Sequence, residues 1–404
     1  MRDERQVELT LSSTDQAALK VSVPSKVHQC AYADRCGGCQ LLNWSDETQA
    51  QWKHTQLVNL FKPLGITPQP FLSAPQPLGY RRKNTYVFKS VKRDIVAGFY
   101  ASHSKRLLDI KHCLIQDQRA DAIFATLKSL MKAQRILPFE PTTGEGTIKQ
   151  VVIRTTTTGV MVILVNAQDR FPGRKNLITA LRQGHPEITS IIENFHPKDS
   201  PYVLSQHNSV LYGPDHLIET IGERRFKVGP SSFFQIYPDQ AFRLFEEGLA
   251  QAGLKPSDRV ADLYCGVGVF GILAASQVHS VIGIESNPTA LAFANDNAKL
   301  NQLTNIRFVK ADATQAMSTL EGIDVVLMDP PRDGATKAFI DELLKLRPRT
   351  VVYVSCNPIT QVRDLQQLSR EYSIAHVRGA DLFPQTTHIE SLAILQRKSP
   401  RGSR

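Results

Sequence analysis

The spacing of apolar and polar residues divides the chain into four stretches. Residues 1–29 form a polar extension with one expected strand at Val7–Leu11. Residues 30–78 open on clustered cysteines, and Trp52–Lys62 has the period of a short amphipathic helix that stops at Pro63 and Gly65. Residues 79–205 alternate with a period of two and are rich in β-branched side chains, as in RKNTYVFKS, IVAGFYA and IKQVVIRTTTTGVMVILV. That pattern predicts a smaller β-rich domain with one helix at Arg119–Lys132. Its last part, 166–205, carries Pro172, Gly173, Pro186, Pro197 and Pro201 and reads as loop. From 206 to 404 the rhythm changes. Short apolar runs at Val260–Cys265, Val281–Ser286, Ile306–Ala311, Asp324–Asp329 and Val351–Cys356 alternate with helical patterns. This is the βαβ alternation of a Rossmann-like α/β domain on a doubly wound, mostly parallel sheet.

Composition narrows the class. The 404 residues are 42% hydrophobic, which suits a globular protein, and no run is apolar enough to cross a bilayer. The first residues, MRDERQVELTLSSTDQAALK, lack the apolar core of a secretory signal, so the expected location is cytoplasmic, with no membrane partner and no obligate protein partner. The net charge is +10, and Arg81–Lys111 holds nine Lys and Arg against only Asp94 and Asp109, hence +7 of that excess. A concentrated basic stretch favours a polyanion. Tyr80-Arg81-Arg82-Lys83 heads it, and Tyr86, Phe88, Phe99 and Tyr100 interleave with it. Arg81, Arg82 and Lys83 are the expected RNA contacts, since basic groups neutralise phosphates and aromatics stack on unpaired bases.

Candidate chemistry lies at strand ends. Gly266-x-Gly268-x-x-Gly271 follows the first strand of the last domain and opens a helix. Such glycines let a ligand approach the backbone, and the motif alone is equally open to NAD or S-adenosylmethionine. Asp262 precedes the turn. Glu285 ends the second strand, where a carboxylate can accept from ribose hydroxyls, and Asp312 ends the third, placed for adenine. Asp329-Pro330-Pro331-Arg332, Ser355-Cys356-Asn357-Pro358 and His388-Ile389-Glu390 follow later runs and can converge on one crevice.

These motifs, with Gly334 and the whole run Val351–Thr360, resemble the RNA 5-methyluridine methyltransferase family, and the resemblance extends from Cys30 to about Leu395. It implies a class I methyltransferase domain that uses S-adenosylmethionine to methylate carbon 5 of a uridine. Cys356 is then the nucleophile and Glu390 the base. Asp329 lies between uracil and cofactor, and Arg332 supports the thiolate or holds Asp329. The family's segment around Ser232-Phe233-Phe234-Gln235 implies a cofactor contact from Gln235, and Tyr264 matches an aromatic position beside Gly266 and the cofactor. Two positions depart from the pattern: Tyr237 stands where the family often has Asn, and Val269 replaces a polar loop residue. Cys265, next to the loop, reads as a packing residue.

Cys30-x5-Cys36-x2-Cys39 with the distant Cys113 supplies four thiolates, and the spacing leaves zinc and iron–sulfur both open. The resemblance implies a four-iron four-sulfur cluster of structural role, as in the bacterial 23S rRNA members, and hence 23S rRNA as substrate. Those members often carry an OB-like RNA-binding domain before the cluster, and 29 residues before Cys30 are too few for one. The alternatives are the same reaction on the tRNA T loop, a non-catalytic metal-cluster RNA-binding protein, and an NAD-dependent oxidoreductase. The last offers no role for Ser355–Pro358.

Overall fold

The computed structural model describes residues 28–92, 94–168, 173–196 and 204–399, together with Leu9, Ser12, Asp15 and Phe171. The strand expected at Val7–Leu11 falls, apart from Leu9, outside these residues.

The first helix spans Asp46–Phe61, starting six residues before its apolar period becomes audible. Its opening turns, DETQAQ, are polar and give no hydrophobic signal. They are set instead by Ser45, whose Oγ accepts from the Thr48 N–H at 3.2 Å, and by Asp46 and Glu47, whose charge suits the helix N-terminus. After it comes strand β1 (Gln69–Leu72).

Seven strands build the central sheet: β2 (Lys83–Val91), β3 (Asp94–Tyr100), β4 (Leu107–Asp109), β5 (Ile148–Thr155), β6 (Val160–Asn166), β7 (Ile188–Phe195) and β8 (Asn208–Tyr212), in the order β4-β3-β2-β5-β6-β7-β8. Only the β6–β7 pair is parallel. A parallel pair needs a crossover, and helix Arg174–Gly184 supplies it. The stretch expected to be loop therefore holds a helix and a strand. Pro186 stands between those elements rather than inside one, so it does not interrupt either. Helix Gln118–Ala133 shares a core with this sheet, formed around Tyr86, Phe88, Phe124, Val151 and Leu181. Tyr86 and Phe88 are fully buried there and cannot stack on RNA; Tyr100 is exposed.

A hairpin, β9 (Leu217–Ile221) and β10 (Arg224–Val228), leads to helix Pro238–Ala252. The α/β sheet follows with β11 (Arg259–Leu263), β12 (Ser280–Glu285), β13 (Ile306–Lys310), β14 (Val325–Met328), β15 (Thr350–Ser355), β16 (Tyr372–Ala380) and β17 (Glu390–Arg397). Its order is β1-β16-β17-β15-β14-β11-β12-β13. β17 alone runs against its neighbours β15 and β16. Strands β14 and β15 are buried at every position, the signature of a sheet covered on both faces. The Rossmann-like domain is thus as expected, with one addition. β1 extends the sheet by pairing in parallel with β16, and Leu57 and Phe61 of the first helix sit in the sheet's core. The order reverses at β11, which has β12 on one side and β14 on the other. That switch point opens a crevice beyond the carboxyl ends of the strands.

Candidate active site

Beyond β11 the chain turns sharply: Tyr264, Gly266 and Gly268 have φ of 64°, 55° and 85°. A Cβ on Gly266 would meet no atom within 4 Å, so the loop borders open space that a ligand can enter. Below it, Asp262 accepts the Gly271 N–H at 2.8 Å, and burial pushes its carboxyl up to about 7. A Cβ on Gly271 would approach that carboxylate to 2.8 Å, which is why the third glycine is needed. Glu285 accepts the Gly266 N–H at 3.0 Å and the Asn287 N–H at 2.7 Å, tying the loop to the end of β12. Asp312 caps helix Ala313–Met317 by accepting from the Thr314 and Gln315 N–H groups. Tyr264 packs on Phe339 with ring centroids 5.4 Å apart. Cys265 is buried beneath the loop, as a packing residue would be. A tight glycine turn over open space, with a carboxylate at the next strand end, fits a nucleoside cofactor.

The second constellation follows from register. Ser355 of β15 faces Ser391 of β17. One step further along both strands stand Cys356 and Glu390, side by side. Met328 of β14 faces Tyr353 of β15, so Asp329 leaves the sheet next to them. Glu390 is 2% exposed. Burial, with Asp329 adding to it, raises its carboxyl well above the usual range, and Arg332 opposes the shift. Burial likewise pushes Asp329 up to about 7. The Cys356 thiol is pushed up to about 12 by burial, then by Glu390 and Asp329, while Arg332 favours the thiolate. Burial thus raises the Cys356, Asp329 and Glu390 groups together, and the Arg332 guanidinium opposes the shift at Cys356 and Glu390.

Neighbouring bonds hold the loops that carry these groups. Arg332 Nη2 lies 3.1 Å from His388 Nδ1. The Arg332 carbonyl accepts from Asn357 Nδ2 at 3.3 Å and Thr360 Oγ1 at 3.1 Å. Asp364, absent from the sequence reading, is buried and accepts from Tyr353 OH at 2.8 Å and the Ala335 N–H at 2.7 Å. Nothing in its mid-helix position signals that role. A small cavity beside Cys356 is lined by Leu9, Arg332, Asn357 and His388.

The remaining predicted residues lie elsewhere. Gln235 lines a small cavity with Lys83 and Arg154 where the central sheet meets the α/β domain. Tyr237 is buried, stacked on Tyr80 at 5.1 Å, and its OH accepts the Gln76 N–H at 3.0 Å. Arg81 Nε donates to the Lys83 carbonyl at 3.1 Å, and Arg82 pairs with Asp117 at 2.8 Å. Lys83 faces Arg154 across the β2–β5 pair. Burial, then Arg154 and Arg81, push its ammonium down to about 7.

Cys30, Cys36, Cys39 and Cys113 all line one pocket of about 720 Å³. Among the described residues no three or more His, Cys, Asp or Glu side chains gather closely enough to hold a metal ion. Cys39 and Cys113 are each pushed up to about 12, chiefly by burial, with the other cysteines adding to it.

The chain is similar to several known proteins. A family model described as tRNA (Uracil-5-)-methyltransferase matches residues 221–398. An RNA methyltransferase of Halalkalibacterium halodurans is 34% identical over 92% of this chain and 83% of its own length. One from Staphylococcus aureus is 34% identical over 91% and 84%. The crystal structure of Pyrococcus abyssi tRNA (uracil-54, C5)-methyltransferase, in complex with S-adenosyl-L-homocysteine, superimposes with a TM-score of 0.75 at 26% identity, covering 89% of this chain and 86% of that one. A cysteine and two carboxylates at neighbouring strand ends beside a glycine loop, and relatives that share nearly the whole chain, together establish that this protein belongs to the RNA uracil-5-methyltransferase family.

Proposed function

We propose that this chain transfers a methyl group from S-adenosylmethionine to carbon 5 of one uridine in 23S rRNA, through a covalent Cys356 adduct. The observation that carries this reading is the meeting of Cys356, Glu390 and Asp329 at adjacent strand ends. Carbon 5 of uracil is a poor nucleophile. Addition of the Cys356 sulfur to carbon 6 converts the ring to an enolate with electron density on carbon 5. Arg332 favours the thiolate that this step needs. The cofactor supplies an electrophilic methyl, and Gly266, Glu285, Asp312, Tyr264 and Gln235 are the residues that would hold it. Asp329 accepts a uracil N–H. Glu390 then removes the hydrogen from carbon 5, the double bond re-forms, and the Cys356 thiolate leaves.

The target base must leave its stack to reach Cys356, and the basic stretch headed by Arg81, Arg82 and Lys83 grips the surrounding RNA. Of the three, Arg82 is paired with Asp117, whereas among the described residues neither Arg81 nor Lys83 pairs with a carboxylate. Lys83→Gln is expected to lower the log–log salt slope of RNA binding by about 0.7–0.9 and leave S-adenosylhomocysteine affinity intact. Wild-type RNA affinity is expected to fall as pH rises through 7, because the Lys83 ammonium loses its proton there. An unchanged slope in filter-binding titrations would remove Lys83 from the RNA surface.

The four cysteines fit a four-iron four-sulfur cluster. All four line one pocket, where burial raises the Cys39 and Cys113 thiols, and an iron–sulfur core would favour their thiolate forms. The cluster favours 23S rRNA. The Pyrococcus abyssi neighbour, a tRNA enzyme, favours a second reading: the same chemistry on the tRNA T loop. Mass mapping of 5-methyluridine in both RNAs from a deletion strain decides between them. Loss of the mark from neither would overturn the proposal.

A further inference from the structure

Glu390 opens β17 opposite Ala380, the last residue of β16, and the segment that joins the two, Asp381–Ile389, is irregular. Residues between Leu41 and Tyr80 hold its first half, Asp381–Gln385, while Thr386 Oγ1 donates to the Phe383 carbonyl and accepts the His388 N–H within the segment. Lys53 Nζ donates to Asp381 Oδ1 at 2.7 Å and to the Phe383 carbonyl at 3.1 Å. Gln49 and Gln385 exchange bonds: Gln49 Nε2 donates to Gln385 Oε1 at 2.8 Å, and the Gln385 N–H donates to Gln49 Oε1 at 3.0 Å. Gln385 Nε2 donates to Asp46 Oδ1 at 3.0 Å, and its carbonyl accepts the Leu41 N–H at 3.0 Å. Tyr80 OH donates to the Pro384 carbonyl at 3.0 Å. Lys53, Gln49, Asp381 and Gln385 are all buried. Gln385 has φ of 71°, a strained state for a side chain with a Cβ, and such strain persists where surrounding bonds over-determine it.

We propose that Gln49 and Lys53 are positioning residues for the catalytic base: they fix the first half of Asp381–Ile389 so that Glu390 meets carbon 5 of the uracil. The inference rests on the functional reading above. A buried ion pair contributes little net stability compared with apolar residues of the same volume, so stability alone does not account for Lys53–Asp381. What directional bonds supply is geometry. Cys356 depends on none of these bonds. It follows β15, which is clamped between β14 and β17. Loss of the network should therefore misplace the base and spare the nucleophile.

The resulting failure has its own signature. A variant that is merely less stable forms less of everything. A variant with a misplaced base still adds Cys356 and still methylates, but resolves the adduct slowly. Lys53→Met and Gln49→Leu, assayed as full-length protein on unmodified 23S rRNA and tRNA transcripts, are expected to lower kcat by about 100-fold, the cost of a small misplacement. KM and S-adenosylhomocysteine affinity should stay near wild type. A covalent RNA–protein species that survives denaturing gels should accumulate on natural RNA. Should Lys53→Met fail to fold, Gln385→Gly gives the answer, since glycine accepts the left-handed backbone without strain while deleting the side-chain bonds. A fall in kcat with no accumulated adduct, or an unchanged kcat, overturns the proposal. If wild-type protein forms no covalent complex with 5-fluorouridine RNA, it is the functional reading that fails instead.

Discussion

Cys356→Ala and Glu390→Gln are expected to fail in opposite ways. Without the thiol no bond to carbon 6 forms, so neither 5-methyluridine nor any covalent RNA complex should appear. Without the carboxylate, addition and methyl transfer proceed, but the hydrogen on carbon 5 has no acceptor. A positioned base contributes about 10²–10⁴-fold, so turnover should drop by that factor while the methylated adduct builds up. RNA carrying 5-fluorouridine at the target should trap wild type in the same state, because fluorine cannot leave as a cation. The pH profile adds a sign. Burial and Asp329 hold Glu390 protonated well above the usual carboxylate range, and only its ionised form accepts a proton. Resolution of the adduct should therefore speed up as pH rises, until Glu390 is fully ionised. Denaturing gels and mass spectrometry of single-turnover reactions read all of these outcomes. Near-normal turnover by Cys356→Ala would end the covalent mechanism here.

Much of the α/β half was legible because burial on both faces leaves no polar alternation. Val325–Met328 and Thr350–Ser355 read as continuous apolar runs, and the residues just after them, Asp329 and Cys356, had to lie on one rim. Glu390 was harder. It stands at the start of β17, and only the antiparallel register with β15 brings it beside Cys356. No local pattern encodes a register. The same limit hid β1. Gln69–Leu72 is four residues with a proline inside and no alternation, and it became a strand only by pairing with β16, some three hundred residues away. Gln49 and Lys53 were silent for a different reason. Polar residues on a helix read as solvated, yet these two are buried because their partners arrive from Asp381–Gln385. The aromatics of the basic stretch show the converse. Alternation along β2 sends Tyr86 and Phe88 to the covered face, and Lys83 and Lys89 on either side of them to the other.

Removing the proposed cluster is expected to have the second large effect, and to act on structure before chemistry. Anaerobically purified protein should be brown and hold about four iron per chain. Cys113 lies between β4 and helix Gln118–Ala133, and its N–H donates to Asp121 at 2.8 Å. It packs with Cys39 around Tyr80, Ile115 and Tyr237. A cluster held by all four cysteines would therefore fasten the loop at residues 30–39 to the central sheet, at the foot of the segment that grips Asp381–Gln385. Metal binding that no unfolded chain can match is folding free energy, so Cys39→Ser should lower the melting temperature and expose the loop to trypsin. The chemical step has no need of electrons from the cluster. Whatever fraction of Cys39→Ser protein stays folded should still form the 5-fluorouridine adduct, with its loss of activity following its loss of structure. Stoichiometric zinc with no iron in the wild type would overturn the assignment. A folded, adduct-forming Cys39→Ser protein with unchanged melting temperature would show that the four thiols hold nothing the fold depends on.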